Sequence, residues 1–293
     1  MLAENANPHS RPDWLYEIKL EGQRCLGHYD GQTVLQARSG NLITRCYPEI
    51  QIAAKHDVVI DGEMICELPS GLPDFPMIER RMKQSKSLLI SYLADKHPAK
   101  FWVFDILSVD GASVMSFPLV ERKAILQKEL ICNDRVKVLP WSFGNGKELF
   151  ERAVSMGYEG VMAKVMNSTY QEGPTRSTCW QKMKPLKVGS FIAVGLTISD
   201  NRDFKSIILA RKIATGFQYV STVASGLSDK DVQKWFAKPA VIPLPEAFVA
   251  VPVDVKVLKW IQPEVIKVYY YEQTVEGHLR FPRLTPSRPR FGI

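Results

Sequence analysis

The chain has 293 residues, of which 45% are hydrophobic and 24% charged, enough to bury one generous core or two modest ones. Its 38 Lys and Arg outweigh 31 Asp and Glu, giving a formal charge of +7 and a field that favours a polyanionic partner. The strongest apolar runs, Val58 to Ile60 and Phe101 to Leu107, are too short to cross a bilayer, and the polar residues 1–12 lack the apolar core of a secretory signal; membrane-spanning, secreted and wholly disordered classes are set aside, and a cytoplasmic location is expected.

In chain order, Trp14 to Leu20 alternates as a β-strand, residues 28–31 (His-Tyr-Asp-Gly) supply a hairpin turn, and Thr33 to Arg38 forms a second strand, so the first domain opens as an antiparallel meander. Val58 to Cys66 and Lys100 to Leu107 are predicted strands, the latter followed by the turn Val109-Asp110-Gly111. Pro118 to Leu130 is a predicted helix with proline in its first turn, and Gly146 to Met156 is another that stops at Gly157. The first domain is therefore α+β. After Lys187-Val188-Gly189 the chain turns to short strands at 191–198, 206–211, 217–223 and 253–258, with one helix near 229–237. That count fits a small β-barrel of the OB type, and it places the domains at 1–188 and 189–293. Residues 239–252, with four prolines, are expected to form an irregular loop. The five cysteines form an odd set without a Cys-x-x-Cys pair and the histidines are scattered, which argues against a disulfide framework or a zinc site.

The most informative string is Glu17-Ile18-Lys19-Leu20-Glu21-Gly22-Gln23-Arg24: a lysine at a strand end with a glycine turn and an arginine close behind. Alone it describes a solvated hairpin end. An ordered series follows it: Arg38-Ser39-Gly40, Asp61-Gly62-Glu63, Phe101 to Asp105, Glu159 to Lys164, and Trp180 to Lys184. Together these resemble the nucleotidyltransferase motifs of ATP-dependent DNA ligases, above all the compact two-domain bacterial and viral enzymes and the ligase module of bacterial end-joining proteins. The resemblance runs from about Trp14 to Arg288. Its first motif departs from the family in one place, with Glu21 where aspartate is usual.

The resemblance implies an adenylation domain of antiparallel sheets followed by an OB barrel, with Lys19 as the nucleophile that carries AMP. A lysine amine is nucleophilic only when neutral, and a free lysine titrates near ~10.4, so the site must lower that value; neighbouring cations such as Lys182 and Lys184 would do so. Alternation places those two on one side of a sheet, toward one phosphate cluster, although a solvated basic face has the same pattern. The family further implies Glu63 for the ribose, Glu159 for a catalytic Mg²⁺ or Mn²⁺, Glu17 for the adenine amine and Phe104 for stacking on the purine. Trp102 shares a face with Phe104, so both could be packing residues. Lys164 could lie near the nucleotide or be a surface lysine at a strand end. Arg24 and Arg38 are implied to grip the 5′-phosphate of a nick, since a guanidinium holds phosphate bidentately.

The last family motif is incomplete. Arg288 matches its arginine, but Arg290 and Phe291 stand where aspartate and lysine are usual, which bears on self-adenylation because that motif orients departing pyrophosphate. The residues before Trp14 leave no room for a large helical DNA-binding domain or a nicotinamide-recognising domain, so ATP is the expected cofactor. Nicked double-stranded DNA is the expected partner, bound by a monomer. An RNA ligase, a capping-type nucleotidyltransferase using GTP, and a non-catalytic nucleic-acid-binding relative are the competing readings; the intact Lys19 argues against the last.

Overall fold

The computed structural model describes residues 1–173, 176–199, 202–214, 216–241, 251–252, 254–274 and 276–284. The chain divides into two units, Met1–Lys184 and Pro185–Ile293.

The first unit contains β1 (Leu2–Ala6), β2 (Trp14–Ile18), β3 (Gln23–Tyr29), β4 (Thr33–Ala37), β5 (Val58–Cys66), α1 (Phe75–Met82), α2 (Ser87–Lys96), β6 (Ala99–Val109), β7 (Ala112–Ser113), α3 (Leu119–Glu129), β8 (Val136–Val138), β9 (Trp141–Phe143), α4 (Gly146–Ser155), β10 (Val161–Val165) and β11 (Arg176–Met183). These form two sheets. One has the order β1-β11-β10-β2-β9; the other runs β4-β3-β5-β6-β7, with β8 added in parallel to β6. The main core lies on the second sheet, where Cys25, Leu35, Ile60, Met64, Phe101, Val103 and Ile106 pack with Tyr47 and Leu126. A separate cluster of Trp14, Tyr16, Ala153, Val161, Ala163 and Met183 seats α4 on the first.

Helix α3 is tied down by charge as well as by apolar packing. Leu119, Arg122, Lys123, Leu126 and Glu129 are its buried residues; the first four form the i, i+3, i+4, i+7 stripe of an inward face, yet two of those four are cations. Arg122 donates from Nε and Nη2 to the two oxygens of Asp105 on β6 at 2.8 and 2.9 Å, and from Nη1 to the carbonyls of Phe117 and Ser168. With the guanidinium and carboxylate both fully buried, only this saturation by partners makes the pair tolerable.

The second unit comprises β12 (Lys187–Ser199), β13 (Arg202–Ile213), β14 (Gly216–Val223), α5 (Asp229–Phe236), β15 (Val257–Tyr270), β16 (Glu272–Gln273) and β17 (Leu279–Arg280). Its main sheet has the order β14-β13-β12-β15 and is antiparallel throughout. Arg283 pairs in parallel with Ser225 and antiparallel with Tyr269, and so joins the two open edges through a fifth segment. Phe191, Leu196, Ile207, Leu209, Val220, Val223, Ile261 and Val268 fill the interior together with Trp235 from α5. Helix α5 begins with a capping box in which Ser228 and Asp231 satisfy each other's backbone N–H. A five-segment barrel with one helix before its fourth strand is the OB architecture.

Several elements differ from the sequence expectations. The boundary expected at 188 lies inside β12, and the units divide between Lys184 and Pro185. β1 was not expected, since residues 2–6 lack alternation; they become a strand by pairing in parallel with β11, some 170 residues away. Helices α1 and α2 were likewise not expected. The strand expected at 253–258 runs instead from Val257 to Tyr270. Pro263 obscures it, and it sits where the register with β12 shifts, a place a sheet accepts proline. The expected loop at 239–252 falls largely on residues outside those described.

Candidate active site

β2 delivers Glu17, and Lys19 follows one residue beyond its end. Two glycines set the surroundings of Lys19. A side chain at Gly22 would place its Cβ 2.2 Å from the Met64 carbonyl, so only glycine lets this turn lie against β5 beside Glu63. Gly160 has φ +142°, and a Cβ there would stand 2.1 Å from the Met183 carbonyl. Its own carbonyl accepts the Lys19 backbone N–H at 2.9 Å. Gly160 thus pins together the end of β2, the start of β10 and the end of β11, leaving Glu159 between two lysines: Lys19 pairs with its Oε2 and Lys184 with its Oε1.

Lys19 opens onto a cavity of about 610 Å³ whose walls include Glu17, Arg24, Arg38, Glu63, Phe104, Lys164 and Lys182. Of the residues singled out from the sequence, eight line this space, and Glu159 and Lys184 join it through Lys19; Arg288 lies outside the described residues. The volume falls in the range of small-molecule sites. Burial pushes the Glu63 carboxyl up to about 7, against the opposing pull of Lys19 and Arg24.

The rear of the cavity is a buried charge cluster. Glu17, 1% exposed, takes the Lys123 ammonium of α3 on Oε1 and stands 2.6 Å from the Lys164 ammonium of β10 through Oε2. Burial by itself would raise the Glu17 carboxyl; Lys123 and then Lys164 overcome it and hold the group below its ordinary range. Lys164 is no surface lysine. It is 1% exposed, burial lowers it to about 8, and its Nζ lies 4.2 Å from the Phe104 ring centre and 4.0 Å from that of Trp180. Phe104 meets Trp180 edge-on at 5.9 Å, and Trp102 packs into the same cluster, as the alternation along β6 implies.

The two rim arginines differ in kind. Arg24 is locked: Nε and Nη2 donate to the two oxygens of buried Asp61 at 3.1 and 2.6 Å, Nη1 donates to the Met1 carbonyl, and Tyr170 Oη lies 3.2 Å from Nη2. Although burial opposes its charge, Asp61 raises the guanidinium above its ordinary value. Arg38, just past β4, is exposed and lies between the main cavity and a neighbouring one of about 530 Å³. Any anion entering the cavity would have to compete with Asp61 for Arg24.

Sequence reading gave no role to Lys123, Arg122, Asp105, Asp61, Tyr170 or Trp180. For the first two a signal existed, since both fall on the inward stripe of an amphipathic helix, where a cation must find a buried anion. Asp61 and Tyr170 carried no such signal, because they meet only through the tertiary fold.

A lysine-bearing turn at a cavity of nucleotide size, on a two-sheet unit followed in the chain by an OB barrel, fits the fold class of the covalent nucleotidyltransferases. Residues 1–184 match the ATP dependent DNA ligase domain and residues 200–290 match the ATP dependent DNA ligase C terminal region. The chain belongs to the ATP-dependent DNA ligase family. It is 29% identical to the multifunctional non-homologous end joining protein LigD of Mycolicibacterium smegmatis over 94% of its own length and 36% of that protein's. The SPbeta prophage-derived DNA ligase-like protein LigB of Bacillus subtilis is 30% identical over 68% of this chain and 72% of its own. Among solved structures, mycobacterial DNA ligase D complexed with ATP and MES superposes with a TM-score of 0.56 at 26% identity, covering 99% of this chain and 94% of that one. The chain spans about a third of the length of the LigD proteins it matches.

Proposed function

We propose that this chain seals a 3′-OH to a 5′-phosphate at nicks in double-stranded DNA, using ATP, with Lys19 as the residue that carries AMP. The observation that carries the reading is the placement of Lys19: at the mouth of a cavity it shares with Glu63, Arg38 and Lys182, with its ammonium on a carboxylate that also holds Lys184. In the first step the Lys19 amine forms a bond to the α-phosphorus of ATP as the bond to pyrophosphate breaks. In the second, an oxygen of the nick's 5′-phosphate attacks that phosphorus and the lysine leaves. In the third, the 3′-OH attacks the 5′-phosphorus and AMP departs. Lys182 and Lys184 supply positive charge to the phosphates, Glu63 faces the ribose, Glu17 and Phe104 hold the adenine, and Arg38 receives the 5′-phosphate with Arg24 behind it.

A divalent cation, Mg²⁺ or Mn²⁺, fits this donor set. Among the described residues no three His, Cys, Asp or Glu side chains converge, but Mg²⁺ in nucleotide sites is commonly held by one or two carboxylates together with substrate phosphates, and Glu159 offers one hard oxygen donor. When bound, such an ion would neutralise charge developing on the phosphates. On this reading the first unit performs the nucleotide chemistry, the second adds DNA contacts, and the protein acts as a monomer in the cytoplasm. Among the described residues no helix is long and apolar enough to cross a membrane.

The test is transfer of label from α-labelled ATP to the protein, followed by joining of a nicked duplex. Label on the protein that moves to DNA, and a sealed strand, support the reading. Label from GTP in place of ATP, or joining of RNA ends but not nicked DNA, would replace it with the capping or RNA-ligase alternatives.

A further inference from the structure

Lys123 belongs to none of the motif strings, yet it makes one of the most deeply buried ion pairs of the molecule. Its side chain is 1% exposed, its ammonium binds Oε1 of Glu17, and it lies 4.5 Å from the ring centre of Trp141. Glu17 and Lys164 line the main cavity; Lys123 does not, so it reaches Glu17 from behind. One carboxylate is therefore shared between a cation inside the cavity wall and a cation outside it. The outer one leaves no freedom in how Glu17 is presented. With Oε1 engaged, the carboxylate is held in one rotation and stays ionised, and an ionised carboxylate only accepts hydrogen bonds.

We propose that Lys123 is a positioning residue for nucleobase selection: by anchoring Glu17 from behind as an acceptor-only group, it makes the cavity take a purine with an amine at its 6-position and refuse one with a carbonyl there. This rests on the reading of the cavity as the site that takes ATP. An amine donor meets Glu17 favourably, whereas a carbonyl would set two acceptors against each other, a repulsive element of the kind that specificity requires. If Lys123 is removed, Glu17 loses its anchor, can rotate, and can carry a proton. A protonated carboxyl donates, and a carbonyl at the 6-position then becomes an acceptable partner.

The groups that face Glu17 are Lys123 from α3 and Lys164 from β10, with Asp105 of β6 acting on Lys164 in turn. Lys123→Met removes the charge and keeps the length of the side chain over Trp141. The cluster then becomes a one-to-one pair of Glu17 with Lys164, which a buried site tolerates better than an unpaired ion. Lys123→Arg keeps a cation in place.

The experiment measures kcat/KM for label transfer to the full chain from α-labelled ATP and GTP, for the native protein, Lys123→Met and Lys123→Arg, with intact mass identifying the adduct. The native protein is expected to favour ATP. In Lys123→Met the ATP-to-GTP ratio should fall by about tenfold or more, with most of the ATP loss in KM, because one hydrogen-bonding discrimination has been undone. Lowering the pH should shrink that ratio further in Lys123→Met and leave it steady in the native protein, and Lys123→Arg should restore most of the preference. An unchanged ratio in a folded Lys123→Met protein, or a loss of rate equal for both nucleotides, overturns the proposal. Failure of the native protein to take label from either nucleotide would instead overturn the reading of the cavity itself. Should Lys123→Met not fold, the Lys123→Arg ratio decides, and a preference lowered as far as its overall rate would count against a positioning role.

Discussion

The pairing of Lys19 with Glu159 separates charge from chemistry at one position. Lys19→Arg keeps the cation for Glu159, so stability should change by no more than about 0.5 kcal/mol, but a guanidinium does not become a neutral nucleophile near neutral pH. Label transfer from ATP should vanish while the denaturation midpoint stays; undiminished labelling would remove Lys19 from the nucleophile's role. The rim arginines can be separated in the same way. Arg24→Ala strips buried Asp61 of a bidentate partner and leaves it, among the side chains of the described residues, the Tyr170 hydroxyl, a loss on the order of 3 kcal/mol. Arg38→Ala, at an exposed position, should cost about 0.5 kcal/mol or less and slow sealing of a 5′-phosphate nick while sparing lysine labelling. Urea denaturation of the two variants, beside both assays, checks this. Glu63 gives a pH signature. Its folded-state carboxyl is pushed up to about 7 from an ordinary 4.5, so the folded protein binds the proton more tightly than the unfolded chain. The contribution is therefore present at low pH and lost as pH rises through that window. Glu63→Gln should gain stability relative to the native protein on moving from pH 5 to pH 8, and a constant difference in denaturation midpoint would show that burial does not perturb Glu63.

Among the elements, the junction of β2, β10 and β11 matters most, because three strands meet there at the single residue Gly160. Replacing it by alanine forces a Cβ to within 2.1 Å of the Met183 carbonyl at φ +142°, so either the strands part or the turn refolds. The combined strain and clash should cost on the order of 3 kcal/mol. Since the same junction brings Glu159 to Lys19 and Lys184, labelling should fall along with stability, even under conditions where the variant remains folded. A variant as active as the native chain at matched folding would mean that the junction is not what assembles the lysines. α3 illustrates a different principle. Its inward stripe spends two of four positions on Arg122 and Lys123, one cation bolting the helix to β6 through Asp105, the other reaching Glu17. A helix usually fills such a stripe with apolar side chains; here the helix is attached by two ion pairs, one of which ends at Glu17 on the cavity wall.

At the scale of the whole molecule, the division at Lys184 and Pro185 leaves each unit with its own apolar core, so the first can be tested alone. Residues 1–184 are expected to fold and to lose the first step heavily, since the last ligase motif, with Arg288, lies in the second unit. Joining of a nick that already carries AMP needs no pyrophosphate orientation, so some of that activity should remain, with a weaker grip and a flatter dependence on salt as phosphate contacts are lost. Comparing ordinary with pre-adenylated nicks at several salt concentrations checks this; equal losses on both substrates would place the second unit's contribution in DNA binding alone.

How much of this was legible beforehand depends on the range over which each feature is encoded. Strands β2, β4, β5 and β6, helices α3 and α4 and the first three barrel strands announce themselves through periodicity and turn residues within a dozen positions, and the ordered motif strings pointed to Lys19, Glu63, Glu159 and the rim arginines. Strand β1 did not, because residues 2–6 have no pattern of their own and gain strand geometry only from β11. Nor did the burial of Lys164, which as a sequence symbol is a strand-end lysine and in the fold sits between two aromatic rings. The sequence by itself determined the family and most of the periodic elements, and it pointed to the side chains that line the cavity, since these are local patterns of residue type. Which charges face one another was decided only by tertiary structure: Arg24 held by Asp61, Glu17 shared by Lys123 and Lys164, Glu159 shared by Lys19 and Lys184. Each of those sets joins residues that are far apart in the chain, and the Coulomb energy that tunes them depends on separations and burial that no stretch of sequence contains.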